Sequence, residues 1–335
     1  MYMYHGRFGG TYYEAGFRYG AKIRKCGVIL NTCPTFPIDI ARIEYGKACR
    51  EEISRYYPEI IQKVKGLADG NGADFDFLCA LIFSMYAYDC ETRCSCFAFH
   101  DGGKTVFGRN SDFLVSIETL YMNVLYHLEG VYSFTGNTTA FIEMEDGVNE
   151  YGFAVGLTFI PVKNVKPGFN AGILTRYLLE KCKTVNEAIA ELQKLPIASG
   201  GTLTMADSTG TIMVAELSAG DINIICPQKN YVFATNVYMS EKMKQLNIPN
   251  FDNWKAETRY QTMKNSFERM KPSLSFAKDL LGGKFGFMCQ YDRKKNADTV
   301  WSVIYDLSEK RIYRVEGNPG RKVYKEDLRF KFMQE

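Results

Sequence analysis

An α+β fold with a large share of antiparallel sheet is what this 335-residue sequence predicts. Three observations lead there. Apolar residues recur at helical spacing through most of the first 93 positions. From residue 94 onward, short β-rich runs alternate with Gly-, Asn- and Asp-containing turns, the pattern of antiparallel strands. Two adjacent helix candidates, 173–183 and 185–195, interrupt those strands and would cover one face of a sheet. With 46% hydrophobic and 24% charged residues, the chain can bury a sizeable core as one large domain or two ordinary ones.

The first helix is expected over 11–25, ending near Gly27, and the second over 42–57, stopped by Pro58. Pro58 suits the first turn of a third helix, where Ile60, Ile61, Val64, Leu67 and Ala68 form one apolar stripe, with Gly70 and Gly72 at its end. Asp74 or Asp76 can cap a strongly apolar helix over 77–88. Next comes a hairpin: Arg93-Cys94-Ser95-Cys96-Phe97-Ala98-Phe99, a turn at Asp101-Gly102-Gly103, then 105–113. Strands are expected at 121–129 and 140–144, and the turn Asn149-Glu150-Tyr151-Gly152 leads into another. Thr184-x-x-Glu187 is a capping box for the second of the paired helices, which Pro196 closes. Runs at 202–206, 211–217, 222–226 and 231–235 read as one antiparallel meander. A helix over 254–270 and a hairpin of 299–306 with 311–315 complete the chain. Internal repeats and low-complexity linkers are lacking.

Composition excludes several classes. Net charge is +3, from 41 basic and 38 acidic residues without a long basic run, so nucleic acid is not an expected partner. The apolar stretch 77–88 is too short to span a bilayer, and the N-terminus lacks an apolar signal region; a cytoplasmic protein without a membrane partner is expected. Ten scattered cysteines then read as free thiols. Cys90, Cys94 and Cys96 hint at zinc, but no second CxxC pair follows and there are only three histidines, so no metal and no cofactor is expected. The 22 Tyr and 23 Phe suit an apolar pocket as well as a well-filled core.

The chemistry-bearing stretch is the first hairpin. A thiol at the start of one strand would lie beside Arg109, Asn110 and Asp112 at the end of its partner. Cys94 and Cys96 share a face, so periodicity does not choose between them. A buried, inert cysteine and an ordinary Gly-Arg-Asn turn are the plain alternative. A Cys–His hydrolase using His100 or His127, and a non-catalytic binding protein, are the rival functions.

The hairpin resembles the first hairpin of the N-terminal-nucleophile (Ntn) hydrolases of the penicillin acyltransferase and choloylglycine hydrolase type, in which a Cys-Thr/Ser start is followed by a Gly-Arg-Asn-x-Asp-type segment. That spacing selects Cys94, with Arg109 and Asp112 beside it. Gly10-Thr11-Tyr12-Tyr13-Glu14-Ala15-Gly16, Tyr57-Pro58-Glu59 and Gly66-Leu67-Ala68-Asp69-Gly70-Asn71-Gly72 are similar to the family's pro-segment. Asn-Glu-x-Gly at 149–152, Thr235-Asn236, Thr-x-Trp-Ser at 299–302 and Gly317-Asn318-Pro319 follow in family order.

The resemblance implies a four-layer αββα sandwich, with residues 1–93 as a helical pro-segment and 94–335 as the catalytic domain. It further implies self-cleavage between Arg93 and Cys94, an oxyanion role for Asn236 and a structural role for Arg259; Asp112 would hold the new α-ammonium, and Arg109 would orient Asp112 or bind a substrate carboxylate. Thr158 stands where bile-salt hydrolases carry an oxyanion Asn and is the alternative donor. The implied activity is hydrolysis of a linear amide with an apolar acyl group, or acyl transfer from it. A homo-oligomer is left open.

Overall fold

A computed structural model describes residues 5–32, 36–88 and 92–333. The chain opens on a strand, β1 (His5–Gly10), and continues through helices α1 (Tyr12–Lys25), α2 (Ile40–Ser54), α3 (Pro58–Asn71) and α4 (Phe75–Ser84). Capping side chains fix three of the starts: Thr11 accepts from Glu14 N, Asp39 from Arg42 N, and Asp74 from Phe77 N. Pro58 opens α3, and Gly72 closes it in the left-handed conformation at φ 72°. Thus Asp74 rather than Asp76 caps α4, which ends at Ser84 instead of continuing to residue 88.

The hairpin forms as expected from β2 (Arg93–Asp101) and β3 (Lys104–Leu114). There follow β4 (Met122–Leu128), β5 (Phe134–Thr138), β6 (Asp146–Asn149), β7 (Ala154–Phe159), α5 (Ala171–Lys181) and α6 (Val185–Leu192). The remainder is β8 (Gly201–Ala206), β9 (Ile212–Ser218), β10 (Asp221–Ile225), β11 (Tyr231–Ala234), α7 (Ala256–Arg269), α8 (Leu274–Leu281), β12 (Ala297–Asp306), β13 (Arg311–Val315) and β14 (Lys325–Glu326). One sheet runs β1-β4-β5-β6-β7-β8-β9-β10 and the other β11-β2-β3-β12-β13-β14.

Alternation along each strand builds the layers. Cys96 and Ala98 of β2 face inward and meet Ala154 of β7, Ala206 of β8 and Val214 of β9. Phe97 and Phe99 face outward onto Met263 and Phe267 of α7 and Phe276 and Leu280 of α8. On the far side, Leu157 and Met205 of the larger sheet join one core with Ile173 and Leu178 of α5 and with Val64 and Leu67 of α3. The product is helix, sheet, sheet, helix: the αββα sandwich that the resemblance implied.

The mainly helical first part of the chain also carries one strand, since β1 pairs in parallel with β4, from His5 opposite Asn123 to Gly10 opposite Leu128. Two expectations need correction. Residues 140–144 are not a strand. There the backbone turns, with Phe141 at φ 57°, and Thr139 N and Oγ1 donate to Glu145 Oε1, local bonds that stand in for a ladder. Finally, the meander stops at β10. Pro227 cannot donate to a ladder, and past it the chain crosses to the other sheet, where β11 pairs with β2. Among the described residues no helix is long and apolar enough to cross a membrane.

Candidate active site

Antiparallel pairing of β2 with β3 sets Arg93 opposite Asp112, Cys94 opposite Ser111 and Cys96 opposite Arg109. Cys94 points between the sheets, whereas Arg93 and Ser95 point toward α7. The Cys94 thiol is fully buried. Arg109 Nη2 donates to Cys94 Sγ at 2.7 Å, and Thr92 Oγ1 lies 3.8 Å from the same sulfur. Burial pushes the Cys94 thiol up to about 11, and the Arg109 guanidinium opposes that rise. The Cys96 thiol, deeper among apolar side chains, is pushed higher still by burial.

Arg109 is itself buried and closely held. Its Nε donates to Leu157 O (3.1 Å), Nη1 to Asp146 Oδ2 (3.0 Å) and Nη2 to Glu145 Oε2 (3.3 Å). Asp146 also accepts from Trp301 Nε1, Tyr305 OH and Asn137 Nδ2. Glu145 accepts from Ser111 Oγ. A buried cation needs this degree of compensation.

Because β11 pairs with β2 and ends at Ala234, the next residues emerge beside Cys94. Asn236 Oδ1 accepts from Cys94 N at 2.7 Å, and Asn236 Nδ2 donates to Phe159 O at 2.7 Å. Arg259, in the first turns of α7, reaches back to the same point. Its Nη1 donates to Cys94 O and to Ser95 Oγ, and its Nη2 donates to Asn236 Oδ1 at 3.0 Å. Asp112 lies 3.6 Å from Arg259 Nη1 and accepts from Thr299 Oγ1 (2.6 Å) and Tyr291 OH (3.0 Å). Burial still pushes its carboxyl up to about 6, against the pull of Arg259.

Five of the sequence-derived residues therefore converge: Cys94, Arg109, Asp112, Asn236 and Arg259. Their pairing differs from expectation in one respect. Arg109 hydrogen-bonds the thiol rather than Asp112, whose guanidinium partner is Arg259. Already neutralised by Glu145 and Asp146, Arg109 has no free charge for a substrate carboxylate. Thr158 Oγ1 shares a contact with Thr202 Oγ1 and donates to Thr235 O, one residue from Asn236.

His100 sits six residues further along β2, about 20 Å from Cys94 at strand rise, and bonds Thr105. His127 is exposed on β4. Neither is in reach as a base. Among the described residues no group of His, Cys, Asp and Glu could hold a metal ion, and Cys90 lies outside them. Sequence reasoning missed Glu145 and Asp146, although three acidic residues, Glu143, Glu145 and Asp146, in an otherwise apolar run were a signal. It also missed the surroundings of Arg93, for which the sequence carried none.

β2 runs unbroken through the Arg93–Cys94 bond. The αββα sandwich with Cys94 near the start of an inner strand is the arrangement that the resemblance to the N-terminal-nucleophile hydrolases implied. Residues 99–321, well over half of the chain, match the acyl-coenzyme A:6-aminopenicillanic acid acyl-transferase family, and the chain belongs to that family. It is accordingly an acyltransferase or a hydrolase of carbon–nitrogen bonds in linear amides. The matched span contains Arg109, Asp112, Thr158, Asn236 and Arg259 and begins just after Cys94.

Solved structures similar to this chain include the following two. Penicillin V acylase from Agrobacterium tumefaciens is 15% identical with a TM-score of 0.47, over 67% of this chain and 83% of its own. A mutant of conjugated bile acid hydrolase from Clostridium perfringens is 12% identical with a TM-score of 0.46, over 72% and 98%. No curated protein matches the sequence.

Proposed function

We propose that the protein is a self-processing cysteine amidohydrolase that cleaves a linear amide through a thioester on Cys94. N-acyl amino acids, N-acyl amines and penicillin-like side chains are the substrate types, with water as the acceptor and an amine replacing it in acyl transfer. One observation carries the reading. All three functional groups of Cys94 are gripped separately: the thiol by Arg109, the backbone N–H by Asn236 and the carbonyl by Arg259. Any buried cysteine needs partners for its N–H and carbonyl; a guanidinium on the sulfur as well is what a structural cysteine does not need.

Processing begins with attack of Sγ on the Arg93 carbonyl. The thiol first gives its proton to water; the C–S bond forms, the C–N bond breaks with the departing nitrogen taking a proton from water, and water then hydrolyses the thioester. Residues 1–93 stay bound as a small subunit, and residues 94–335 form the catalytic chain. The new α-amine has an ordinary pKa of about 7.7–8.0, so near neutral pH it can take the thiol proton and later pass it to a leaving amine. No histidine is required. Asp112, a buried carboxyl held up at about 6, is a counter-charge suited to the α-ammonium. Asn236 Nδ2 has a second proton for the oxyanion, a donor worth on the order of 2.7–4 kcal/mol.

Intact mass and N-terminal sequencing test this directly. The expected result is a new N-terminus at Cys94 in wild type and in Cys96→Ala, and one uncut chain in Cys94→Ala. An active wild-type protein that remains a single uncut chain would overturn the reading.

A further inference from the structure

Arg93 stands on the acyl side of the bond that self-processing would cut, and its side chain is 2% exposed. Its Nε and Nη2 donate to Asp252 O at 3.1 and 2.6 Å, and Nη1 donates to Thr92 O at 2.9 Å. The guanidinium carbon lies 4.7 Å from the centre of the Phe251 ring and 5.7 Å from that of Trp254. These are cation–π distances.

The loop making this cradle is shaped against backbone preference. Asn250, Trp254 and Lys255 have φ of 59°, 51° and 59°, a left-handed region that non-glycine residues occupy only where their surroundings hold them. Arg259 supplies part of the hold. Its Nη2 donates to Asn253 O and its Nε to Trp254 O, while the same guanidinium bonds Cys94 O and Asn236. The Trp254 ring also lies tilted against that of Tyr291, centres 5.6 Å apart, and the Tyr291 hydroxyl bonds Asp112. The cradle is thus fastened to the cluster around the nucleophile.

Resting on the proposal that Cys94 is the nucleophile, a chemical identity follows. Self-cleavage and turnover pass through the same species, R–CO–Sγ on Cys94, with R the Arg93 side of the chain in one case and the substrate's acyl group in the other. Moving the acyl carbon from Cys94 N to Cys94 Sγ shifts it by only about 3 Å, a few bond lengths. Four side-chain bonds let the guanidinium stay where it is. We propose that the cradle of Phe251, Asp252 O and Trp254 is the acyl-group subsite, and that it selects amides whose acyl part is an Nα-substituted arginine. The apolar acyl group suggested by the aromatic content is replaced by a cationic one, flat enough to lie against two rings and rich in donors for a carbonyl.

The test uses the processed enzyme with 4-nitroanilides of Nα-acetylarginine and Nα-acetylnorleucine, which share a stem and differ in the guanidinium. We expect kcat/KM to favour the arginyl compound by about tenfold or more. Phe251→Leu, which leaves Asp252 O and Trp254 in place, should narrow the preference for the arginyl over the norleucyl substrate about fivefold, mainly by raising KM for the arginyl one. Calorimetric binding of Nα-acetylarginine against Nα-acetylnorleucine gives the same comparison without turnover. A cut enzyme that cleaves or binds the norleucyl compound as well as the arginyl one overturns the subsite assignment and leaves the amidase reading intact. A chain that is never cut, retains Arg93 in the cradle and binds neither ligand defeats both.

Discussion

At the Cys94 sulfur, burial and Arg109 act in opposite directions, and burial wins: the thiol sits at about 11 in the uncut chain. Only about one molecule in ten thousand then carries a thiolate at pH 7. An acid whose pKa is raised ionises as pH rises, so self-cleavage should accelerate about tenfold per pH unit from 6 to 9 without levelling off. Turnover by the cut enzyme should instead plateau above about 8, where the new α-amine is neutral. Precursor trapped at low pH and then jumped to each pH, followed by gel densitometry, gives the first profile. Identical profiles for the two reactions would contradict the change of base. Asn236 offers a second test, because its two ends do different work. Asn236→Asp retains the acceptor for Cys94 N–H and loses the donor, whereas Asn236→Ala loses both. Both should lower kcat on an accepted amide by roughly 10²–10³ with little change in KM, and near-wild-type kcat in either would remove Asn236 from the oxyanion site. Cys94, Asp112 and Asn236 were named from motifs of the resemblance and Arg259 from a segment that lacks the family's Ser, and the structure brings the four side by side. The choice of Arg259 over Arg109 as partner of Asp112 was not legible in sequence, since it depends on how α7 lies across β2.

Among the elements, α1 and α3 show how much of the packing was written locally. Gly16 and Gly20 on one helix and Gly66 and Gly70 on the other are spaced four apart, on one face of each. A Cβ on Gly66 would stand 2.1 Å from Tyr13 O, and one on Gly16 would stand 2.2 Å from Lys63 O. The helices touch backbone to backbone. By propensity alone Gly66→Ala would stabilise α3 by about 1 kcal/mol; the forced separation should instead destabilise the protein by about 1–3 kcal/mol. A lowered urea midpoint at constant slope is the expected measurement, and a raised midpoint would show that the helices are not in backbone contact. The starts at Thr11 and Pro58 were readable because each acts on its own neighbours, whereas α2 begins two residues before the expected position 42, where Asp39 caps it. β1 was hidden in His5-Gly6-Arg7-Phe8-Gly9-Gly10, which has too few apolar residues to show a period and becomes a strand only because β4 offers an edge. β11 was visible as a strand, but its sheet was not, because the change of sheet is a property of its partner β2.

In the whole molecule, the layer order came from resemblance, whereas the sequence pattern itself reached only α+β, because strand periodicity does not say which two sheets face each other. The structure adds that the residues before and after the Arg93–Cys94 bond share one core. The tie is also polar. Tyr12 OH and Tyr57 OH both donate to Glu180 Oε2, and Arg176 Nε and Nη2 donate to Glu180 Oε1, all in the buried interior. Asn170 Nδ2 donates to Ile82 O at 3.0 Å, and Lys63 lies 3.7 Å from the Tyr126 ring centre. Cutting one peptide bond at Arg93 removes none of these contacts, nor the six-residue pairing of β1 with β4. The two cut pieces should therefore elute together in native gel filtration and separate only in denaturant. Glu180→Ala leaves the Arg176 charge and two tyrosine hydroxyls without their shared acceptor, a change that costs about 3–5 kcal/mol for a buried pair. That variant should dissociate at markedly lower urea than wild type after cutting, while Glu59→Ala, which removes only a half-exposed pair with Lys181, should shift the midpoint little. Equal midpoints for Glu180→Ala and wild type would mean that the apolar core alone holds the pieces together.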